Sequence, residues 1–158
     1  MILKTPAKIN LGLQVLSKRQ DGFHELETVL QMVALYDELE FLISDGNLLL
    51  TCDQPEIPEN EDNLVMKAAS LLRQEFRDKA KGGVKIRLRK TIPAGAGLGG
   101  GSGNAALTLL GLNKFWDLGL NYKELIPYAS KLGSDIPFFL VSPTALGTGR
   151  GEKIKEIA

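Results

Sequence analysis

The stretch from Pro93 to Ala106, Pro-Ala-Gly-Ala-Gly-Leu-Gly-Gly-Gly-Ser-Gly-Asn-Ala-Ala, constrains this chain more than any other. Glycine stands at 95, 97, 99, 100, 101 and 103, and an apolar, helix-compatible run follows directly. Without Cβ atoms the backbone N–H groups of such a tract close on an anion. A helix opening near Asn104 adds further free donors and the positive end of its dipole. The implied ligand is a nucleotide phosphate. A flexible linker is the bland alternative for glycine-rich sequence. Here Pro93, a preceding strand and a following helix frame the tract, and a linker needs none of these.

Spacing separates the known phosphate loops. A Walker loop needs Gly-x-x-x-x-Gly-Lys-Ser/Thr, and no Lys lies between Thr91 and Asn113. Gly95-Ala-Gly97-Leu-Gly-Gly100 does match G-x-G-x-x-G, with Asp117 near the distance of a ribose-binding acid. Its context argues otherwise. Val84-Lys-Ile86-Arg-Leu88-Arg alternates apolar with basic residues, as a half-exposed antiparallel strand does, whereas a dinucleotide-fold first strand is buried on both faces. Asp117 also falls at a helix end beside Phe115-Trp116, with no second strand to carry it.

Any anion must be held locally, because 19 basic and 19 acidic residues cancel. That balance leaves no electrostatic footprint for nucleic acid or an anionic membrane surface. At 158 residues and 44% hydrophobic content the chain is sized for one domain with a real core. The single Cys52 allows no internal disulfide, and with the single His24 it rules out a His/Cys metal cage. The N-terminus reads as no signal peptide, and charges break every apolar run well short of the ~18 residues of a spanning helix. A cytoplasmic protein, or a plastid one after removal of a transit peptide, is expected.

Along the chain, Ile9, Leu11, Leu13 and Val15 alternate with polar or small residues. Ser17 to Gly22 then turns into an apolar run from Leu26 to Tyr36, which predicts a β-hairpin. Leu39–Ile43 and Leu48–Thr51 around Asp45-Gly46-Asn47 predict a second strand pair. From Asn63 the period changes. Val65, Ala68, Ala69, Leu72 and Phe76 share a helical face that Gly82-Gly83 ends. The strand 84–90 feeds the glycine tract. The next helix buries Ala105, Leu109, Leu112 and Trp116, and Asn121-Tyr-Lys-Glu124 resembles the cap of another carrying Leu125, Ala129 and Leu132. Pro127 implies either a later start or a kink there. The order predicts an α+β domain with a mixed or mostly antiparallel sheet.

Pro93-Ala-Gly-Ala-Gly-Leu-Gly-Gly-Gly-Ser102 resembles the central phosphate-binding motif of the GHMP kinases. Pro6-Ala-Lys-Ile-Asn-Leu11 with Asp21-Gly-Phe-His-Glu-Leu26, and Gly133-Ser-Asp-Ile-Pro-Phe-Phe-Leu140, resemble one branch of that family. Members of that branch phosphorylate a polyol linked to cytidine diphosphate on a route to isoprenoid precursors. The resemblance implies the GHMP N-terminal fold, similar to ribosomal protein S5 domain 2, over residues 1–152. It makes 153–158 the start of a continuation that stops at Ala158. It also implies ATP with Mg²⁺ as phosphate donor, a small CDP-linked polyol as acceptor, and no nucleic-acid or membrane partner; a homodimer is left open. The rival expectations are another small-molecule kinase of the family and a non-catalytic nucleotide-binding domain of S5-like fold. Because the family's cleft is walled by two domains, the expectation for these 158 residues alone is folding without useful turnover, with an exposed apolar patch.

The resemblance also distributes roles. Pro93, Ala94, Gly95, Ala96, Gly97, Leu98, Gly99, Gly100, Gly101, Ser102 and Gly103 would hold the ATP phosphates. Asp135, in a turn fixed by Gly133 and Pro137, would take the acceptor hydroxyl proton, although composition alone makes it a turn aspartate. Lys8 would set its ammonium beside Asp135, where developing negative charge is stabilised; by itself it is a solvated strand-end lysine. Asn10, on the same strand face, would bond the polyol. Phe23 would stack on the cytosine and His24 would bond the base edge. Two residues depart from the family pattern. Phe23 stands where Tyr is usual, and Gly103 stands where a second Ser commonly follows Ser102. Arg150, between two glycines, reads as exposed rather than as a diphosphate contact.

Overall fold

A 21-residue strand, β2 (His24–Ser44), organises the molecule, and a 17-residue strand, β1 (Ile2–Lys18), runs antiparallel along one of its edges. The computed structural model describes residues 1–18, 20, 22, 24–149 and 151–157. Because β1 pairs along one edge of β2 over residues 24–40, the remaining partners share the other. There β4 (Gly83–Arg89) pairs with residues 38–44 and β5 (Thr144–Gly149) with residues 26–31. β3 (Leu48–Cys52) lies parallel to β4, and β6 (Lys153–Glu156) antiparallel to β5. The sheet is therefore mixed and mostly antiparallel, as the sequence predicts.

Two local expectations are corrected. The run 26–36 and the run 39–43 are one continuous strand, and 48–52 does not fold back on 39–43. The Asp45-Gly46 turn is present, with Gly46 at φ 82°, but it carries the chain over β4, so that β4 lies between the two segments. Gly83 makes this possible. A Cβ there would stand 2.5 Å from the backbone nitrogen of Asn47, and that close approach admits only glycine.

The helices form a second layer. α1 (Leu64–Glu75) starts at an Asn63 cap whose side chain accepts from the Val65 N–H, and it stops at Phe76, short of the predicted Gly82. α2 (Gly100–Phe115) opens four residues before the predicted start near Asn104, so Gly100–Gly103 are helical. α3 (Tyr122–Leu132) carries a full Asn121/Glu124 capping box and runs through Pro127, which excludes the later start. A one-turn helix, α4 (Phe138–Val141), follows.

Phe41, Leu39 and Ile86 of the sheet meet Val65 and Leu72 of α1 and Leu109 and Leu112 of α2, all within 1% of full burial. Each such side chain contributes roughly 1.5–3 kcal/mol by leaving water. α2 crosses so close to the sheet that a Cβ on Gly111 would lie 2.5 Å from the Phe41 ring. By contrast, Leu11, Leu13, Val15 and Leu16 of β1 are each more than half exposed, which leaves an apolar stretch in the open. No helix is long and apolar enough to cross a membrane among the described residues.

The close crossing gives a direct check on the packing. Gly111→Ala would gain helix propensity on an open surface, yet here it is expected to lose about 1–3 kcal/mol by forcing Phe41 aside. Urea unfolding measures it, and a neutral or stabilising result would contradict the crossing distance.

Candidate functional site

Lys8, Asn10 and the glycine tract are brought together by β1. The Lys8 N–H donates to the Leu98 carbonyl at 2.8 Å, tying the tract to the strand. Its side chain is 8% exposed, and Nζ donates to Asn10 Oδ1 at 2.8 Å while standing 3.5 Å from Asp135 Oδ2. Asp135 comes from the turn between α3 and α4. There Gly133 closes α3 on the Ala129 carbonyl, and Ile136 and Phe138 are fully buried. The apolar anchors hold the turn, leaving the Asp135 side chain 42% exposed to the cleft.

Asn10 is oriented by its own partner. Its Nδ2 donates to Thr28 Oγ1 at 2.7 Å, and the Thr28 hydroxyl donates in turn to the Gly12 carbonyl at 2.8 Å. With its proton committed, Thr28 can only accept from Asn10, which turns Asn10 Oδ1 toward Lys8. A bulge in β1 between Asn10 and Gly12 presents that carbonyl, since Leu11 has no partner across the ladder.

The tract lines a cleft of about 320 Å³ with Lys8, Leu64 and Asp135. Gly95, Gly97 and Gly99 all adopt positive φ between 71° and 74°. At Gly99 glycine is required twice over, because a Cβ would stand 2.8 Å from Lys8 Cγ and 2.9 Å from Phe139 Cζ. Asn63 and Asn121 cap α1 and α3 with their side chains. Gly99 gives α2 no such cap, and no acid sits in its first turn. The N-terminal donors of α2 thus face the cleft as an anion site.

Of the predicted phosphate-holding residues, Pro93 through Ser102 line this cleft and Gly103 does not. Gly103 lies on the buried face of the first turn of α2, where a Cβ would stand 2.4 Å from Thr5 Oγ1. Thr5 Oγ1 is itself buried without a hydrogen-bond partner. Thr5 thus fills the space that a serine side chain at 103 would use. His24 opens β2 on the surface, about 13 Å along the strand from Thr28 at ~3.3 Å per residue. Phe23, Asp21 and Arg150 lie outside the described residues. Cys52 ends β3, away from the cleft, and burial pushes its thiol up, against a nucleophilic role.

Sequence reading missed the support beneath the tract. Asp37, fully buried, accepts from the Thr91 and Ile92 N–H groups at 2.7 and 2.8 Å, from Asn104 Nδ2 at 3.0 Å, and pairs with Lys90 Nζ. A signal was present. Asp37 is in phase with Leu39 and Phe41 on β2, and Lys90, the residue just after β4, with Ile86 and Leu88 of that strand, so an acid and a base extend two apolar faces.

Residues 63–142 match the family described as GHMP kinases N terminal domain. The chain is 50% identical, over 99% of its length and 50% of the relative's, to a 4-diphosphocytidyl-2-C-methyl-D-erythritol kinase of Prochlorococcus marinus (strain MIT 9215). It is 45% identical to the enzyme of that name from Bacillus cereus (strain B4264), over 99% of this chain and 54% of that one. A crystal structure of 4-(cytidine 5'-diphospho)-2C-methyl-D-erythritol kinase superposes with TM-score 0.87 at 40% identity, covering 100% of this chain and 55% of that one. The mevalonate kinase of Methanococcus jannaschii superposes with TM-score 0.77 at 15% identity, over 100% of this chain and 56% of that one, a likeness of fold. The chain spans about half the length of the curated relatives it matches.

The Thr5–Gly103 contact is testable by itself. Gly103→Ser is expected to destabilise by about 1–3 kcal/mol, the range of core overpacking. Adding Thr5→Ala should recover most of the loss in thermal unfolding. Strictly additive losses would show that the two positions do not compete for space.

Proposed function

This chain belongs to the GHMP kinase family, and we propose from that premise that it carries the phosphoryl-transfer half of an enzyme acting on 4-(cytidine 5'-diphospho)-2-C-methyl-D-erythritol. The reaction moves the γ-phosphoryl group of ATP to the 2-hydroxyl of that acceptor. The observation that carries the reading is the approach of Lys8 Nζ to Asp135 Oδ2, 3.5 Å apart at the rim of an uncapped, glycine-lined helix start.

The backbone of Gly95–Ser102 and the first turn of α2 hold the phosphates through N–H donors. Their preorganisation replaces the side-chain lysine that a Walker loop supplies. Ser102, the one hydroxyl of the tract, lines the cleft and would touch phosphate or Mg²⁺. Mg²⁺, when bound, neutralises charge on the β- and γ-phosphates. Asp135 takes the proton from the acceptor hydroxyl as its oxygen bonds to the γ-phosphorus. The bond from that phosphorus to the bridging oxygen breaks, and ADP leaves. Lys8, held by Asn10 and thereby by Thr28, keeps a positive charge beside the reacting oxygens. Asn10 presents polar atoms to the polyol. His24, which opens β2 at the far end of the hairpin, would meet the base edge of an extended cytidine end, and Phe23, its neighbour in sequence, would supply the stacking ring. The relatives' shared name and the motifs Pro6–Leu11 and Gly133–Leu140 support this acceptor over others of the family. A cytoplasmic setting fits such a small-molecule kinase.

In an assay of the full protein, Asp135→Asn is expected to lower kcat roughly 10²-fold or more while leaving Mg-ATP affinity within about threefold. Lys8→Ala should act in the same direction. Near-normal kcat in Asp135→Asn would remove the base assignment. Faster phosphorylation of mevalonate or homoserine than of the cytidine-linked polyol would remove the acceptor assignment.

A further inference from the structure

We propose that Asp37 is a positioning residue for ATP, setting the shape of the phosphate cradle from beneath without touching the nucleotide. The inference rests on the nucleotide reading of the glycine tract and extends it to a residue that does not line the cleft.

The tract is a loop whose two ends meet beneath it, with Ile92 packed close under Gly100 but no hydrogen bond from Ile92 to α2 other than through Asp37 among the described residues. One end leaves β4 at Lys90–Ile92, and the other runs into the second turn of α2 at Asn104. A single carboxylate holds both. Asp37 Oδ1 accepts from the Thr91 and Ile92 N–H groups, and Oδ2 accepts from Asn104 Nδ2 and pairs with Lys90 Nζ. All of this is buried: Asp37 is fully inaccessible, Asn104 is 2% exposed and Lys90 9%. A charge so deep is unfavourable unless every lone pair is answered, and four donors answer it here.

The backbone of Lys90 is fixed independently. Its N–H donates to Asp53 Oδ1 at 2.9 Å, and its carbonyl accepts from Gln54 Nε2 at 3.1 Å. Its ammonium lies 3.0 Å from where a Cβ of Gly100 would stand, directly under the first residue of α2. The cluster therefore sets the height and tilt of the α2 N-terminus relative to the β4 exit. Those two quantities decide whether the N–H groups of Gly99–Ser102 converge on one phosphate. The acceptor side of the cleft hangs on a different chain of bonds, Lys8–Asn10–Thr28. Damage at Asp37 should therefore fall on the nucleotide first.

A merely structural ion pair predicts something else: lower stability, with equal effects on both ligands. Asp37→Asn keeps the size but turns a donor toward Lys90 and Asn104. Asn104→Ala cuts only the α2 tie, in a helical position that accepts alanine, and serves if Asp37→Asn does not fold. The swap Asp37→Asn with Asn104→Asp returns a carboxylate and an amide to the same three-way contact with their positions exchanged. For each protein, calorimetric titration gives Kd for Mg-ATP and for the CDP-linked polyol, and hydrogen exchange follows the amides of Gly95–Gly103 and of α3.

The expected result is a Kd for Mg-ATP raised about tenfold in Asp37→Asn and about threefold in Asn104→Ala, with the polyol Kd within twofold. Exchange should quicken in the tract and not in α3, and the swap should return the Mg-ATP Kd to within about threefold of wild type. Unchanged Mg-ATP affinity in a folded Asp37→Asn or in Asn104→Ala would overturn the proposal, as would equal weakening of both ligands. A wild-type chain that binds no Mg-ATP would overturn the nucleotide reading as well. Binding of Mg-ATP that is indifferent to these substitutions would overturn only this one.

Discussion

A carboxylate with no access to water, at position 37 of a strand whose neighbouring inward positions are Leu39 and Phe41, is the constraint on which the rest of this architecture depends. β2 is bordered by β4 and β5 on one edge, and between their ladders, at residues 32–37, that edge has no strand partner. Asp37 fills the end of the gap. It draws in the β4 exit through two N–H groups and α2 through Asn104. Charge-assisted hydrogen bonds contribute about 1.5–3 kcal/mol each, and desolvation of the carboxylate and the Lys90 ammonium costs several kcal/mol apiece. The sum favours stability little. What the cluster gains is definition, since only one arrangement of β4, the tract and α2 answers all its donors.

A second chain of bonds meets the first across the cleft. β1 contributes both halves of the junction: the Lys8 backbone holds the Leu98 carbonyl of the tract, and the Lys8 side chain reaches Asn10 and Asp135. One residue thus couples the floor of the phosphate site to the acid that faces the acceptor. The glycine at 99 is the corollary, since any side chain there would collide with Lys8 and Phe139. Both devices are built from strands with local irregularities. The bulge at Leu11 and the crowded Gly83 turn are places where the chain departs from regular pairing so that a group is aimed or another strand admitted.

What the sequence made legible follows range. The glycine tract, the apolar face of α1 and the Asn121 box are contained within a few residues of one another, and each appears in the structure. Strand partnership is decided by groups far apart in sequence. Leu48–Cys52 could have folded back over the Asp45-Gly46 turn; instead β4, arriving more than thirty residues later, takes the place between. The sequence puts the start of α2 too late because glycine disfavours helix interiors, whereas here Ile92, Thr5 and Phe139 come so close that a Cβ at Gly100 or Gly103 would crowd them. Lys8, Asn10 and Asp135 were found through resemblance rather than spacing, since 125 or more residues separate the first two from the third. Asp37 and Lys90 were overlooked although their phase on two apolar strands was visible. A charged residue in phase with a buried face asks for a partner, and no local pattern says which.

The central claim is that the glycine tract receives ATP phosphates at the rim that Lys8 and Asp135 share. A nitrogen-15 NMR titration of the 158-residue chain with Mg-ATP tests it most directly. The account predicts amide shifts concentrated at Gly95–Ser102 and at Lys8, saturating with ligand, with α3 and β6 unmoved. Shifts absent from the tract, or scattered over the exposed face of β1 instead, would contradict it.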